Sequence, residues 1–228
     1  MDESTHSAIQ IAIDGPSASG KGTVAKAVAT ALGYTYLDSG ALYRVVALKG
    51  SEKGLSLDDG PALANMISEL QILLGWDNGR LSLIVADEEL SEIIRTEAIG
   101  QGASRVAKLP EVRKALLSLQ RKLATKGGIV MDGRDIGTVV LAQAQLKVFL
   151  TASIAVRAQR RHAEQLSRGI QNSLEEVTLA LIERANQDAN REQAPLREAS
   201  DAVRVDSSTL TPVEVVAEIV ALAKSRNA

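Results

Sequence analysis

The segment Gly15–Thr23 combines residue types that could hold phosphate groups. It consists of Gly15, Pro16, Ser17, Ala18, Ser19, Gly20, Lys21, Gly22 and Thr23. Glycines at this spacing let successive backbone N–H groups face phosphate oxygens, while Lys21 and the start of a helix add positive potential. The segment directly follows an apolar run and precedes a helical pattern, which is the setting that a P-loop requires. We therefore predict a nucleoside triphosphate site here, rather than a glycine-rich turn without function.

Two residues are candidates for holding Mg²⁺ beside this loop, both through water. Gly22 occupies the position at which many P-loops have Ser or Thr, so a hydroxyl contact would have to come from Thr23. Asp132 follows a second apolar run, and its carboxylate could hold the water shell of the ion. The pattern is equally compatible with a structural role for Asp132.

Two further polar segments follow apolar runs, namely Leu37–Arg44 and Asp132–Thr138. In an open parallel sheet the carboxyl ends of the strands border the ligand crevice, so we expect both segments to converge beside the P-loop. The chain contains neither the Asn-Lys-x-Asp nor the Asp-x-x-Gly motif of a GTPase switch. A small-molecule kinase is therefore favoured over a GTPase or a motor ATPase.

Two clusters of charged residues have helical spacing. The first contains Arg184, Asp188 and Arg191, and the second contains Arg157, Arg160 and Arg161. Each spacing predicts that the three side chains lie on one face of a helix. Such a face could bind phosphate, or it could be a solvated surface with an intrahelical ion pair.

Short apolar runs separated by long helical patterns indicate the fold. The runs are Ile9–Ile13, Tyr34–Leu37, Ile129–Met131, Leu146–Leu150 and Ala202–Val205. This alternation predicts an α/β protein with a doubly wound, five-stranded parallel sheet. The first crossover helix is predicted over Lys21–Leu32, ending at Gly33, and Val213–Ala223 is predicted as a helix packed on the sheet.

The pattern changes between residues 58 and 128, where we predict a small antiparallel insert. A helix is expected over Pro61–Leu74, a tight turn at Asp77-Asn78-Gly79 between strands Gln71–Trp76 and Arg80–Val85, and further helices after Glu88 and after Pro110. We expect one kinase domain over residues 1–228. Its core would span about 8–57 and 127–228, with the insert at about 58–126.

The composition excludes several other classes of protein. The 228 residues carry 26 basic and 28 acidic side chains, so no general attraction to nucleic acid is expected. Cysteine is absent, and the only histidines are His6 and His162, which excludes thiolate chemistry and histidine metal clusters. No apolar run reaches the ~18 residues of a spanning helix. We expect a soluble, cytoplasmic monomer without a membrane segment.

The sequence resembles the bacterial-type cytidylate kinases. The resemblance runs from about Ile9 to Leu210 and depends on the P-loop, Leu37–Arg44, Asp132–Thr138 and the Arg184, Asp188 and Arg191 set. It implies the nucleoside-monophosphate-kinase fold, in which the insert at about 58–126 would be the monophosphate-binding region and about 155–190 a short helical lid. It also implies transfer of a phosphoryl group from ATP, with Mg²⁺, to CMP or dCMP. This chain has Ala185 where the family usually has an acidic residue.

The resemblance also assigns roles to individual residues. It places the acceptor on Ser39, Arg44, Ser104, Arg113, Arg134, Asp135, Arg184, Asp188 and Arg191. Lys21 would hold the donor phosphates, while Arg134 and Arg184 would act on the transferring phosphate, joined by Arg157 and Arg161 when the lid closes. Asp135, Arg113 and Ser104 could match the amine, N3 and O2 of cytosine, whereas uracil would turn a carbonyl toward Asp135.

Two kinds of alternative remain open from the residues alone. One is a P-loop kinase for another small acceptor, such as UMP or shikimate. The other is a non-catalytic sensor that binds ATP through the same loop. A sensor would need no second nucleotide pocket, so the acceptor residues favour a kinase.

Overall fold

The computed structural model describes residues 8–77, 80–85 and 88–226. The strands, in chain order, are β1 (Gln10–Asp14), β2 (Thr35–Asp38), β3 (Ile72–Asp77), β4 (Arg80–Val85), β5 (Glu88–Glu89), β6 (Ile129–Gly133), β7 (Leu146–Thr151) and β8 (Val203–Asp206). The helices are α1 (Lys21–Leu32), α2 (Ser39–Glu52), α3 (Gly60–Glu69), α4 (Glu97–Val106), α5 (Pro110–Ala124), α6 (Ile154–Ser167), α7 (Leu174–Asn190) and α8 (Pro212–Arg226). A 3₁₀ turn occupies Ile93–Arg95 and a π-helical turn Ile136–Val140.

A parallel sheet forms the centre of the described structure. Its five strands lie in the order β2-β6-β1-β7-β8, and each neighbouring pair is parallel. Ile11, Ala12 and Ile13 of the middle strand have no exposed surface, as expected for a strand covered by helices on both faces. The predicted doubly wound α/β sheet is confirmed, with each predicted strand within two residues of the observed one.

The helices that cover one face of the sheet follow the predicted pattern. Val24 and Val28 of α1 are buried, and the helix ends at Gly33, whose φ of 67° is left-handed. Val215 and Ile219 of α8 are buried in the same apolar cluster. The predictions for these two helices are therefore confirmed, and α8 has a packing role.

The insert contains the predicted hairpin together with one strand that was not predicted. β3 and β4 are antiparallel, and the short β5 adds a third strand to this sheet. The predicted helix over Pro61–Leu74 is wrong at its end, because α3 stops at Glu69 and Ile72 already pairs with Val85 of β4. The predicted turn residues Asn78 and Gly79 lie outside the described residues.

A second apolar core joins the insert to α2. It contains Leu42 and Val45 of α2 together with Leu63, Val85 and Leu116 of the insert, all without exposed surface. α2 begins directly after β2, so this core fixes the insert against the carboxyl edge of the parallel sheet. Within the described ranges, no helix is both long and apolar enough to span a membrane.

Candidate active site

The P-loop curls between the end of β1 and the start of α1. A Cβ on Gly15 would lie 2.0 Å from the carbonyl oxygen of Leu150, so only glycine fits here. Gly20 has a left-handed φ of 91° and is the N-cap of α1. The Nζ of Lys21 is buried and donates a 2.8 Å hydrogen bond to the Pro16 carbonyl. The loop therefore folds around its own lysine, next to the N-terminus of a helix.

Lys21 and Asp132 are two buried groups of opposite charge at this edge of the sheet. Burial, followed by the nearby Arg134, lowers the pKa of Lys21, while Asp132 acts in the opposite direction. Burial and the neighbouring Asp38 raise the pKa of Asp132. A bound phosphate would favour the charged form of Lys21, because an opposite charge at short range raises the pKa of an amine.

A cleft of about 250 Å³ opens beside the P-loop. It is lined by all nine side chains that the sequence suggested for an acceptor, namely Ser39, Arg44, Ser104, Arg113, Arg134, Asp135, Arg184, Asp188 and Arg191. Ser17 of the P-loop and Asp132 line the same cleft. These residues come from four helices, the end of β6 and three connecting segments, so the fold assembles the site from distant parts of the chain.

One end of the cleft holds an ion pair under an aromatic ring. Nη2 of Arg113 pairs with Oδ2 of Asp135, and both side chains are about nine-tenths buried. The guanidinium of Arg113 also lies 5.9 Å from the centre of the Tyr43 ring. The Ser104 hydroxyl donates 3.1 Å to the Gly100 carbonyl, which leaves its oxygen able to accept a hydrogen bond. This end presents donors and acceptors that suit the edge of a base.

The other end of the cleft is cationic. Nε of Arg134 donates a 2.7 Å hydrogen bond to Asp188, and Arg44 donates 2.8 Å to the Ile94 carbonyl. Among the described atoms, the buried Nε of Arg184 and the Nε and Nη2 of Arg191 have no hydrogen-bond partner, although Nη2 of Arg191 lies within ion-pair distance of Asp135, at 3.8 Å. Burial lowers the pKa of Arg184 and of Arg191. Buried guanidinium groups with free donors are suited to binding phosphate oxygens.

Arg191 lies outside the helix that the sequence predicted for it. α7 ends at Asn190, and Arg191 is its C-cap, with an extended ψ of 139°. The chain turns here, and the Leu196 N–H binds back to the Asp188 carbonyl at 2.8 Å. The prediction of one continuous helical face is therefore wrong for Arg191, although its side chain reaches the same cleft as Arg184.

The structure separates the three arginines of α6. Arg157 is buried and donates to the carbonyls of Ala152 and Ser17, at 3.1 and 3.2 Å. Arg160 donates 2.7 Å to the Ser207 carbonyl and 3.4 Å to that of Ser19. These two arginines hold the P-loop backbone, so their spacing does not give three equivalent phosphate ligands.

The third arginine of this cluster points toward the insert. Arg161 forms ion pairs with Glu97 at 3.4 Å and with Glu164 at 3.0 Å, and it lines the cleft. Glu97 is the first residue of α4. Arg161 therefore bridges the predicted lid and the insert across the mouth of the cleft.

The two candidate magnesium residues differ in their surroundings. Thr23 is exposed on the first turn of α1, whereas Asp132 is buried at the end of β6. Within the described chain, no three Asp, Glu or His side chains form a metal cluster. The buried carboxylate of Asp132 fits the way Mg²⁺ is bound through one or two carboxylates and substrate phosphates.

Sequence reasoning missed several residues of the site. Tyr43 and Gln187 also line the cleft, and Asp38 lines it while its carboxylate caps α2 through the Ala41 N–H, at 3.1 Å. Gln187 follows Arg184 by three residues, and Tyr43 and Asp38 lie within the recognised Leu37–Arg44 segment. Their positions could therefore have been found from helical spacing and from the motif itself.

Comparison with known proteins gives the same answer along nearly the whole chain. A family model described as cytidylate kinase matches residues 11–225. The cytidylate kinase of Exiguobacterium sp. strain AT1b is 47% identical over 211 residues, which covers 92% of this chain and 94% of that protein. The cytidylate kinase of Streptococcus pneumoniae strain 70585 is 44% identical over 219 residues, with 96% and 98% covered.

A crystal structure of an uncharacterized protein from Eubacterium ventriosum shares the fold. Its TM-score is 0.51 at 12% identity, with 95% of this chain and 98% of that chain covered. At this identity the likeness concerns the fold alone. Because the family model and the relatives both span more than nine-tenths of the sequence, the chain belongs to the cytidylate kinase family.

Proposed function

We propose that the cleft beside the P-loop holds CMP or dCMP and that its cationic end carries phosphoryl transfer from ATP. The products are ADP and CDP or dCDP, and Mg²⁺ accompanies the donor. As a member of the cytidylate kinase family, the protein is a kinase that phosphorylates cytidine monophosphates. The observation that supports the site is the convergence of nine acceptor side chains on one cleft that opens onto Ser17 of the P-loop.

The donor phosphates bind in the P-loop. Backbone N–H groups of the loop and of the first turn of α1 face these phosphates. The Lys21 ammonium group exchanges its hydrogen bond to the Pro16 carbonyl for one to a phosphate oxygen. Arg157 and Arg160 hold the carbonyls of Ser17 and Ser19, which keeps the loop curled. The donor site is thus formed before ATP arrives.

Asp132 is the residue that would hold the water shell of Mg²⁺, with Thr23 too exposed to share a buried site. The ion, when bound, neutralises charge on the donor phosphates. Tyr36 donates a hydrogen bond to the Asp132 carboxylate and thereby favours its charged form. Tyr36 therefore keeps Asp132 suited to this role.

Arginine residues hold the acceptor phosphate and the group in transfer. Hydrogen-bond donors to these phosphates come from Arg44, Arg184 and Arg191. Asp188 holds Arg134 in place by accepting a hydrogen bond from the Arg134 Nε. A loose transition state spreads charge over three equatorial oxygens, so fixed cations and in-line placement supply most of the catalysis. An ionised CMP phosphate is already a nucleophile, and no general base is assigned.

The base end of the cleft selects cytosine. Asp135 accepts from the exocyclic amine, and Arg113 donates to a ring acceptor. Ser104 would donate to the other ring acceptor after its hydroxyl rotates away from the Gly100 carbonyl. Uracil places a carbonyl against the Asp135 carboxylate, and an unmatched buried acceptor costs ~1–3 kcal/mol, which corresponds to about tenfold or more in selectivity. The ion pair with Arg113 keeps Asp135 oriented for this contact.

The segment of about residues 155–190 acts as a lid. It carries Arg161, which pairs with Glu97 of the insert in the structure described here. Closing over both nucleotides would bring Arg161 to the transferring phosphate and exclude water from the cleft. Insert, lid and core together form one kinase domain over residues 1–228, with the insert at about 58–126.

A coupled assay of ADP formation tests the proposed reaction. CMP and dCMP should be phosphorylated, with little turnover of UMP, AMP or shikimate. Equal rates for CMP and UMP would contradict the role given to Asp135. ATP binding without turnover of any acceptor would favour the sensor alternative.

The setting of the enzyme follows from its small-molecule substrates. We place it in the cytoplasm as a monomer that needs no nucleic acid or membrane partner. Sedimentation equilibrium checks the monomer, and a dimer at micromolar concentration would contradict it.

A further inference from the structure

Asp14 makes an unusual contact for a strand residue. It is the last residue of β1, directly before Gly15 of the P-loop, and only 5% of it is exposed. Its Oδ1 accepts the N–H of Ile136 at 2.8 Å, and its Oδ2 accepts the N–H of Gly137 at 2.7 Å. Both carboxylate oxygens are therefore used by backbone donors more than 120 residues away.

The donors belong to the start of a π-helical turn. In this turn Val140 binds the carbonyl of Asp135 and Leu141 binds that of Ile136, so the first N–H groups have no partner inside the turn. Helix N-termini are usually capped by a side chain immediately before them in sequence. Here Asp14 supplies the cap from a neighbouring strand.

The backbone of Asp14 also holds the chain just before Arg134 and Asp135. In the parallel register of β1 and β6, the backbone of Asp14 is opposite Gly133. The chain is thus held at Gly133 by strand pairing and at Ile136 by the Asp14 carboxylate. Arg134 and Asp135, which line the cleft, are the only residues between these two points.

Gly137 packs closely against Asp14 and Lys147. A Cβ on Gly137 would lie 3.4 Å from Oδ2 of Asp14 and 3.2 Å from the Cδ of Lys147, which packs from β7. The Lys147 ammonium is directed away to Asp201, at 2.8 Å. Gly137 is therefore enclosed between the Asp14 carboxylate and the Lys147 methylene groups.

The buried carboxylate is retained at an energetic cost. Burial raises the pKa of Asp14 to about 6, against the two backbone N–H groups and Lys21, which lower it, while Asp135 raises it further. A carboxylate kept in a buried environment that disfavours its charged form is typical of functional sites. Asp14 itself does not line the cleft.

We propose that Asp14 is a positioning residue, which clamps the Arg134-Asp135 pair and holds the acceptor groups in register with the P-loop. One carboxylate thereby joins the origin of the donor loop to the origin of the acceptor loop. A misplacement of about 1 Å at such groups can cost about 100-fold in rate. The proposal rests on the roles given above to Arg134 and Asp135.

The variant Asp14→Asn tests this proposal. It keeps the shape and one acceptor but turns an amide N–H₂ toward a backbone N–H. We expect the KM for CMP to rise and the preference for CMP over UMP to fall, each by about tenfold, since one charge-assisted hydrogen bond is lost. The affinity for ATP, measured by calorimetry without acceptor, should stay within twofold.

A matched control separates positioning from a general loss of stability. Asp59→Ala removes a side-chain cap from α3, where Asp59 Oδ1 accepts the Ala62 N–H at 3.0 Å, outside the cleft. Its melting temperature should fall without a change in CMP selectivity. Gly137→Ala is the second test, because its Cβ would lie 3.2 Å from the Lys147 Cδ and so crowd the segment that Asp14 caps. It should lower CMP selectivity as Asp14→Asn does.

Two results would overturn the proposal. The first is a folded Asp14→Asn variant whose KM for CMP and preference for CMP over UMP stay within twofold of the wild type. If Asp14→Asn does not fold, the same result for Gly137→Ala would overturn the proposal. The second is an equal loss of ATP and CMP affinity, which indicates a structural role only. Failure of the cytosine recognition proposed above would instead appear in the wild type, as equal use of CMP and UMP. In that case the role of Asp14 is tested by whether Asp14→Asn raises the KM for CMP more than it weakens ATP binding.

Discussion

The Tyr36 hydroxyl donates a 2.7 Å hydrogen bond to Oδ1 of Asp132, and both side chains are buried. Their strands β2 and β6 are already paired through the backbone, with Asp38 opposite Asp132. Burial and Asp132 raise the pKa of Tyr36 well above its usual value, so the phenol keeps its proton and acts as the donor. The same hydrogen bond lowers the pKa of Asp132 against burial and Asp38, which raise it. Tyr36 thus stabilises a buried negative charge beside Lys21.

The variant Tyr36→Phe should therefore be less stable. It leaves no large cavity, but a buried carboxylate loses its donor, which costs ~1–3 kcal/mol in the free energy of unfolding. The difference in the free energy of unfolding between the wild type and the variant should become smaller as the pH falls through the raised pKa of Asp132. The reason is that a protonated carboxyl group no longer gains from the charge-assisted hydrogen bond. Urea unfolding at several pH values measures this. Tyr34→Phe is the control, since its half-buried oxygen only accepts the Ile9 N–H at 3.2 Å. An equal loss in both variants would contradict the role of Tyr36.

Lys21→Met should abolish most activity and leave the fold intact. The methionine keeps the apolar stem of a buried side chain, whereas the charge that faces the donor phosphates is lost. Removing one preorganised donor to developing charge lowers kcat by about 100- to 1,000-fold. Steady-state assays measure kcat, and circular dichroism checks the fold. A folded variant with kcat within tenfold of the wild type would show that Lys21 has no major part in transfer.

Local patterns were enough to predict the central sheet and the P-loop. Apolar runs of β-branched residues mark strands buried on both faces, and Gly15 and Gly20 of the loop have conformations that few other residues adopt. Gly15 is an example, since its neighbour Leu150 comes from an adjacent strand that was itself predicted. The end of α3 was harder, because the apolar residues at 72–74 suit a helix as well as a strand and only pairing with β4 decides between them.

Contacts between distant segments account for most of what the sequence did not reveal. Helical spacing placed Arg157, Arg160 and Arg161 on one helix, but it could not show that the first two meet P-loop carbonyls. In the same way, nothing near Asp14 in sequence indicates the N–H groups that it caps. Such roles depend on which segments the fold brings together, and a single sequence carries no local signal for them.

Asp135→Ala should mainly weaken recognition of the base. The carboxylate pairs with Arg113 and lines the cleft, with the Arg191 guanidinium 3.8 Å away. The ratio of kcat/KM for CMP to that for UMP should fall by about tenfold or more, since one buried hydrogen-bonding match is lost. Arg113 loses its partner too, so a fall in stability is expected alongside. Parallel kinetics with both nucleotides measure the ratio, and an unchanged ratio would show that cytosine is selected elsewhere.

Arg184→Met should weaken the binding of CMP without lowering the stability of the free protein. The buried Nε of Arg184 has no partner among the described atoms, and burial together with Arg134 lowers the pKa of this guanidinium, which shows that its charge is unfavourable in the free protein. Removing it should leave the melting temperature of the free protein unchanged or higher. The stabilisation by CMP should be largely lost, because a ligand stabilises only in proportion to its affinity. Thermal unfolding with and without CMP measures both effects.

The control for this last variant is Arg204→Met, which removes an exposed arginine paired with Glu198, away from the cleft. The melting temperature of this control should still rise on addition of CMP, by as much as in the wild type. If Arg184→Met were strongly destabilised without CMP, or still stabilised by CMP as the wild type is, Arg184 would be part of the packing of α7 and not a ligand of the acceptor phosphate. The unpaired Nε of Arg184 favours the opposite outcome, since a buried donor without a hydrogen-bond partner is otherwise only a cost to the fold.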